Sequence, residues 1–369
     1  MSVLEILSHQ ALAVLHEAQS PLGTRAASVP MANYQAVFCR DAVVTGLQGL
    51  AENDPVRIEG LITSLHTLRK HQGPQGQIPS NVRIEQGNVT VSFGRLSPKI
   101  DSVSWYVLGC ARLIIGGHSV PELWMASVQS AISLLETLEF NASNLIYVPR
   151  GGNWADEYLT EGYTLFDQSL RSWSLREAGI AFNRHEWLQK SSAISELLLS
   201  HYTLDSGYFA SSLLPGFVDR RIDLAAHCVL AMAMKPGEPS VVRALKLLAK
   251  NTLERGVLPP AFQPIITSSD PEWSALEGFH LFGMKNRPHH YHNGGIWWIW
   301  VAWFGMSLRR HHLGKEVTEL VHLAKQVLNL HPEFNFEEYY ASDDLSLGGT
   351  PKLCFTATGI RILAQLDHE

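Results

Sequence analysis

From one end to the other, the chain alternates between segments that are amphipathic at helical spacing and segments that are apolar on every side. Val3 to Gln19 places apolar residues three and four apart around a polar face, and Ala36 to Leu50 is apolar nearly all round. Pro55 to Lys70 is amphipathic again, with Pro55 suited to a first helical turn, and Asp101 to Ile115 is mostly apolar. Pro121 to Leu138 is amphipathic, and Leu165 to Phe182 is rich in small and aromatic residues. The rhythm continues through Arg184 to His201 and Ile222 to Met234, then Ser240 to Leu253 and the very apolar Gly294 to Leu308. Lys315 to Leu330 and Leu353 to Leu366 complete it. A helix polar on one side belongs to an outer layer, and one apolar all round belongs inside. Six outer and six inner helices in strict alternation predict an all-α (α/α)6 barrel. No linker breaks the pattern, so residues 1–369 are expected to form a single catalytic domain. A helical solenoid would show a shared repeat motif, and none is found.

The connections follow the same alternation. Links from inner to outer helices are short, as at Ala51–Asp54, Gly116–His118 and Lys235–Pro239. Links from outer to inner helices are long: Ser20–Gln35, His71–Ile100, Glu139–Thr164, Tyr202–Arg221, Glu254–Asn293 and His331–Lys352. In an alternating barrel these long loops share one face, at the N-termini of the inner helices, and long ordered loops usually carry function. Within one of them, Val82 to Phe93 alternates like a hairpin with Gln-Gly-Asn at its turn.

Composition excludes several classes. Of 369 residues, 46% are hydrophobic and 17% charged, which fits a globular core and not a disordered chain. The net charge of −6, with no run of like charges, gives no reason to expect nucleic acid or an anionic membrane as partner. Gly294 to Met306 is too short to span a bilayer, and the first residues lack a secretory pattern, so a cytoplasmic location is expected. Cys39, Cys110, Cys228 and Cys354 each sit alone in apolar stretches, as reduced core cysteines do. No dinucleotide, serine-hydrolase or phosphate-loop motif occurs, so no cofactor is expected.

The long loops carry the chemistry. Asp156 lies in PRGGNWADEY, Glu337 and Glu338 in FNFEEYY, and Arg40 and Asp41 in NYQAVFCRD after Tyr34. Asp101 opens an inner helix ahead of Trp105, and His292-Asn293 opens another after His289, His290 and Tyr291. With Trp154, Tyr158, Trp297, Tyr339 and Tyr340, these residues would ring a pocket in which aromatic faces stack on sugars. Two opposed carboxylates are the machinery of glycoside hydrolysis, one protonating the leaving oxygen and one activating water. Plainer roles fit the same residues. Asp41 and Asp101 suit first helical turns, and the two glutamates suit a solvated loop. The HHYHNGG cluster lacks further ligands at zinc spacing, so no metal is expected. The WWIWVAW segment reads as barrel core with only its first end near the pocket.

These segments, in this order, resemble the (α/α)6 glycoside hydrolases, most of all the neutral/alkaline invertase family. NYQAVFCRD is similar to N-Y-x-x-V-F-x-R-D, PKIDSVSWYVLGCAR to P-V-D-S-x-x-W-W, and HYHNGGIWW to Y-H-N-G-G-x-W. FEEYY with the late Thr-Ala-Thr-Gly helix resembles P-E-Y-Y-D followed by T-W-T-I-A-G, so the likeness runs from Asn33 to Gly359. PRGGNWADEY resembles the P-R-x-x-S-G-W-D of trehalases, where the aspartate is the general acid. The resemblance implies Asp156 as acid and Glu338 as base of an inverting hydrolase. It implies Arg40 and Asp41 on the hydroxyls of the cleaved sugar, with Asp101, His292 and Asn293 lining the pocket. Tyr34, Trp105, Trp154, Tyr291 and Tyr339 are expected among the substrate-binding residues.

Departures fall at leaving-group positions: Phe336-Glu337 stands where the invertases have Trp-Pro, and Leu347-Gly348-Gly349 where they have I-G-K. A small α-glucoside, sucrose or a relative, is the expected substrate, and the sequence leaves homo-oligomerisation open. Asp156 is expected to be protonated, its pKa raised by Trp154 and nearby carboxylates. Glu338 is expected to be ionised and inward, with Glu337 outward. A sugar epimerase using histidines on the same barrel, or a sugar-binding protein without catalysis, remain the competing readings.

Overall fold

The computed structural model describes residues 2–31 and 33–368, so Met1, Ala32 and Glu369 lie outside the description. The twelve expected helices are all present: α1 (Val3–Glu17), α2 (Cys39–Glu52), α3 (Pro55–Lys70), α4 (Asp101–Ile115), α5 (Leu123–Glu136), α6 (Leu165–Ala181), α7 (His185–His201), α8 (Leu224–Ala233), α9 (Pro239–Thr252), α11 (Trp298–Arg310), α12 (Gly314–Asn329) and α13 (Cys354–His368). One short helix, α10 (Trp273–Glu277), was not expected and lies in the longest loop. No described helix is long and apolar enough to cross a membrane.

The apolar helices close a ring. α2 packs on α4, α4 on α6, α6 on α8, α8 on α11, α11 on α13, and α13 returns to α2. Each is backed by an amphipathic helix: α1 on α13, α3 on α2, α5 on α4, α7 on α6, α9 on α8 and α12 on α11. This is the (α/α)6 barrel. In α6 every residue from Leu165 to Leu175 is buried, whereas α9 buries only the stripe Val241, Ala244, Leu245, Leu248, Ala249 and Thr252. That difference is the sequence rhythm in three dimensions. Indole rings fill the interior: Trp105 of α4 and Trp173 of α6 both lie edge-on to Trp303 of α11, at 6.0 Å, and Trp303 meets Trp300 at 5.6 Å.

The residues entering three inner helices are extended and paired, and for this reason α2 and α8 start later than their apolar runs, while α6 starts at Leu165 as expected. Val37–Phe38 joins Val82 and Asn81 of the expected hairpin, Tyr163–Thr164 joins Leu213 and Ser212, and Ile222–Asp223 joins Gln263 and Phe262. The hairpin pairs Asn81–Glu85 with Asn88–Ser92 around a two-residue turn, Gln86–Gly87, both at positive φ. At α11 the start moves to Trp298, since Gly294 takes φ +101 and Ile296 bridges to Tyr340. These pairings brace the loops of the mouth against one another.

Close approach of α13 to α11 depends on Gly359. A Cβ there would stand 2.6 Å from the backbone C and O of Trp298. Alanine normally favours a helix over glycine by about 1 kcal/mol, but backbone cannot yield as a side chain can. Gly359→Ala should therefore destabilise the chain by about 1–3 kcal/mol, read by thermal or urea unfolding. A variant as stable as the parent would contradict this packing.

Candidate active site

Four consecutive inner helices bring an aspartate to the mouth. Asp41, Asp101 and Asp167 lie in the first turns of α2, α4 and α6, and Asp223 caps α8 by accepting from the Ala226 N–H at 3.0 Å. Asp167 and Asp223 escaped the sequence reading and are structural. Burial pushes both carboxyls up to about 7. Asp167 accepts from Thr164 Oγ1 at 2.6 Å and Asn153 Nδ2 at 3.0 Å. Asn153 in turn accepts from the Ala155 N–H at 3.1 Å and from Thr160 Oγ1 at 3.2 Å. The loop carrying Asp156 is thereby fastened to the start of α6.

Two chambers meet at this mouth. The inner one, of about 100 Å³, is lined by Tyr34, Arg40, Asp41, Trp154, Asp156, Tyr291, His292 and Glu338 among others. The outer one, of about 320 Å³, runs between the hairpin, the segment from Gly94 to Asp101, and the loop at Leu281–Lys285. Asn33, Phe38, Arg40, Asp156, Lys285 and Tyr291 line both and form the neck between them. Glu338 faces only the inner chamber.

Glu338 is inward as expected, and only 7% exposed. Tyr34 Oη donates to both of its oxygens at 3.2 Å, and the Thr350 N–H donates to Oε2 at 3.4 Å. Glu337 turns away; its Oε2 accepts from the Asn335 N–H at 2.8 Å on the outer side of the loop. Burial pushes Glu338 up to about 7, with Asp156 adding to the rise, despite Lys285 and these donors. The expectation of a fully ionised Glu338 is corrected to that extent, since too few donors replace the lost water.

Asp156 departs further from expectation. Burial works to raise it, but the ammonium of Lys99 is paired with its Oδ1, and Arg40 lies close by. The net direction is downward, below the usual carboxylate range. Lys99 also donates to Gly151 O at 2.5 Å and Asn153 O at 3.2 Å. An acid raised by Trp154 is therefore not what the free protein contains. Trp154 packs inward on Trp300, Phe262 and His292, while Asp156 faces cations.

Arg40 Nη1 binds Asp101 Oδ2 at 3.0 Å, and its Nε is 4.0 Å from Asp41 Oδ2. Burial pushes Asp41 up to about 6 against the pull of Arg40. His292 stacks on Trp297 at 5.0 Å with the planes 4° apart, and Trp154 meets it edge-on at 4.7 Å. Burial lowers the His292 pKa strongly, so the ring is neutral. Both of its buried nitrogens lack a protein partner, leaving one donor and one acceptor for hydroxyls of a ligand.

Four expected binding residues lie off the inner chamber. Trp105 is fully buried against Trp303 and Phe166 in the barrel core. Asn293 donates to Ile266 O and Asn286 O and accepts from the Ile266 N–H, so its amide holds loops together. Asp101 faces the outer chamber through its partner Arg40. Tyr339 packs on Trp297 and Tyr291 behind the wall. Conversely, Lys99, Lys285 and Asn286 were missed. Asn286 joins two loops: Nδ2 donates to Glu157 O at 2.5 Å, while Oδ1 accepts from the N–H groups of His292 and Asn293 at 3.0 and 3.2 Å. Lys285 lies over the Tyr291 ring at 5.1 Å.

No protein-family model matches the chain, and no curated protein matches it in sequence. Solved structures do resemble it. The GH63 mannosylglycerate hydrolase from Thermus thermophilus superposes with a TM-score of 0.69 at 14% identity, covering 98% of this chain and 100% of the other. A glycosidase variant in complex with glucose gives 0.68 at 15% identity over 99% and 96%. A rhamnosidase from Klebsiella oxytoca with rhamnose bound gives 0.68 at 12% over 98% of this chain and 64% of the other. At such identities the likeness establishes the fold, an (α/α)6 barrel shared with glycoside hydrolases. The specific likeness to invertases gains no support from these matches.

The floor under Glu338 is Gly349, at φ +81, where a Cβ would fall 2.4 Å from Glu338 Cβ and Oε2. Gly349→Ala should push the carboxylate off its mark. Misplacement by about 1 Å costs roughly 10²-fold in rate, so kcat of the folded variant should fall by that order, alongside the lower melting temperature that an alanine at positive φ brings. Unchanged turnover in a folded variant would show that Glu338 is not placed by this contact.

Proposed function

We propose that the protein is an inverting glycoside hydrolase acting on a small α-glycoside, with Asp156 as general acid and Glu338 as general base. One observation carries this reading: Asp156 lines the neck between the chambers, while Glu338 faces the inner chamber alone. A glycosidic oxygen joins a sugar held within to a leaving group held without, so the acid belongs at the neck. The base belongs beside the anomeric carbon, where a water can attack from the other side. In the step, water bonds to that carbon and gives a proton to Glu338. The bond to the glycosidic oxygen breaks, and that oxygen takes the proton of Asp156. Arg40, Asp41 and the free nitrogens of His292 would hold the sugar hydroxyls.

The names of the fold neighbours, a mannosylglycerate hydrolase and a rhamnosidase, support a glycoside as substrate. An epimerase of this barrel working through a histidine pair is less well supported, since His292 is the one histidine lining the inner chamber among the described residues.

A panel of sucrose, trehalose, maltose, isomaltose, glucosylglycerol and glucosylglycerate, followed by release of reducing sugar, tests the reaction class. NMR of the first product should show the β-anomer released from an α-glucoside; the α-anomer would rule out inversion, and interconverted free sugars without hydrolysis would favour the epimerase. Glu338→Gln should lower kcat by about 10²–10⁴-fold, the usual worth of a positioned base, with Glu337→Gln nearly silent. The reverse ranking would move the base to Glu337.

The pH dependence follows from the raised pKa. A base must be ionised and an acid protonated, and in the free protein Glu338 is raised to about 7 while Asp156 is held below the usual range, so kcat/KM should stay level below about 7 and break downward as pH rises through it. Glu338→Gln should remove that break. A break at about 7 that survives in this variant belongs to another group.

A further inference from the structure

In the free protein the two proposed catalytic carboxyls hold their protons in the wrong order. Asp156, which must donate, is paired with Lys99, whereas Glu338, which must accept, sits buried beneath it. Something that arrives with the substrate must reverse this. The outer chamber shows what. Its walls carry Arg40, Arg83, Arg95, Lys99 and Lys285 against Asp101, Asp156 and Glu157, in a chain whose net charge is −6. Arg40 is matched by Asp101 and Arg83 by Glu85. Arg95, which lies over the Phe282 ring at 5.7 Å, and Lys285 have no carboxylate within ion-pair distance among the described residues. Lys99 lines the outer chamber and not the inner one, and the side chain of Asp156 is 39% exposed at the neck.

We propose, resting on the hydrolase reading, that the outer chamber receives an anionic leaving group, a carboxylate or a phosphate ester, and that Lys99 transfers its ammonium from Asp156 to that anion. Gly151 O and Asn153 O remain as acceptors for Lys99 and serve as a pivot, so the shift is short. Once Lys99 has turned, Asp156 faces Arg40 and neutral His292, with Asp41, Asp101, Glu338, Tyr34 and Tyr291 also near and Glu157 next in the chain. Its carboxylate takes a proton from solvent, and the acid is armed only beneath a leaving group of the right charge. A neutral leaving group would leave Lys99 in place and the acid unprotonated. Lys99 is thus a positioning and specificity residue.

Calorimetric titration of D-glycerate, inorganic phosphate and glycerol into the full chain, in buffers of different ionisation enthalpy, reads both affinity and proton uptake. At about pH 6 at least one anion should bind with uptake of protons, and glycerol should not bind. The anion that binds identifies carboxylate or phosphate as the group recognised. Asp156→Asn should retain binding and lose the uptake. Lys99→Met should bind about tenfold or more weakly without uptake, and Lys99→Arg should restore the affinity, which a merely structural role would not predict. Glycerol binding as tightly as the anions, no binding by any of the three, or uptake that persists in Asp156→Asn would each overturn the proposal. Turnover separates the two readings. Equal kcat/KM on glucosylglycerol and glucosylglycerate would leave the hydrolase standing and remove the Lys99 transfer. Proton-linked anion binding in a chain that cleaves no glycoside would instead remove the hydrolase.

Discussion

A helix that is apolar on every side persists in water only when other helices cover it completely, and six such helices can cover one another only by closing a ring. That closure, completed where α13 returns to α2, determines everything else about the molecule. It requires a second layer outside, because each inner helix still has a back to be covered. It points the six inner N-termini the same way, toward one mouth. It forces the returning chain to cross that mouth in long segments, and these supply Lys99, Asp156, Lys285, His292 and Glu338. The indole rings of α4, α6 and α11 fill the interior beneath, so the site rests on a packed base and not on a channel.

The mouth is also an electrostatic device. Inner-helix N-termini favour negative charge, and Asp41, Asp101, Asp167 and Asp223 occupy them in succession. So many carboxyls in so little water cannot all ionise freely. Asp167 and Asp223, pushed up to about 7, act as anchors, and Asp41 rises to about 6 beside Arg40. Against this background Asp156 stands apart as the carboxylate driven downward, and the chief cause is the Lys99 ammonium from a different loop, with Arg40 adding to it. Two carboxyls whose environments separate their proton affinities are the usual preparation for acid and base work. Here the separation in the free protein runs opposite to the proposed roles of Asp156 and Glu338.

Much of the site was legible in the chain. Arg40, Asp41, Tyr34, Trp154, Tyr291 and His292 stand in short motifs whose residue types suit sugar hydroxyls and faces, and all line the inner chamber. The choice of Glu338 over Glu337 came from the resemblance, since Glu338 directly precedes Tyr339-Tyr340; that the two point opposite ways followed from side chains alternating along an extended segment, and they do. Trp105 and Asn293 were misread for one reason: a motif records that a residue is needed, not whether it touches a ligand or holds the wall. Lys285 and Asn286 sit in a stretch without periodicity, and nothing in GMKNRPHH distinguishes a lysine over Tyr291 or an amide bridging two loops from ordinary loop polarity.

The barrel, the one face that bears its long loops and most of the residues lining the inner chamber can be read from the chain alone. Helical periodicity and loop length are properties of neighbours in the chain, and the alternation of apolar and amphipathic helices has one closed solution. Only the tertiary structure decided the charge state of the two carboxyls, the division of the cavity into chambers and the placement of Asp156 at their neck. Those properties depend on burial and on Coulomb interactions that fall with distance through space. The Lys99 ammonium beside Asp156 is set there by loops crossing the mouth, a juxtaposition that no local pattern encodes.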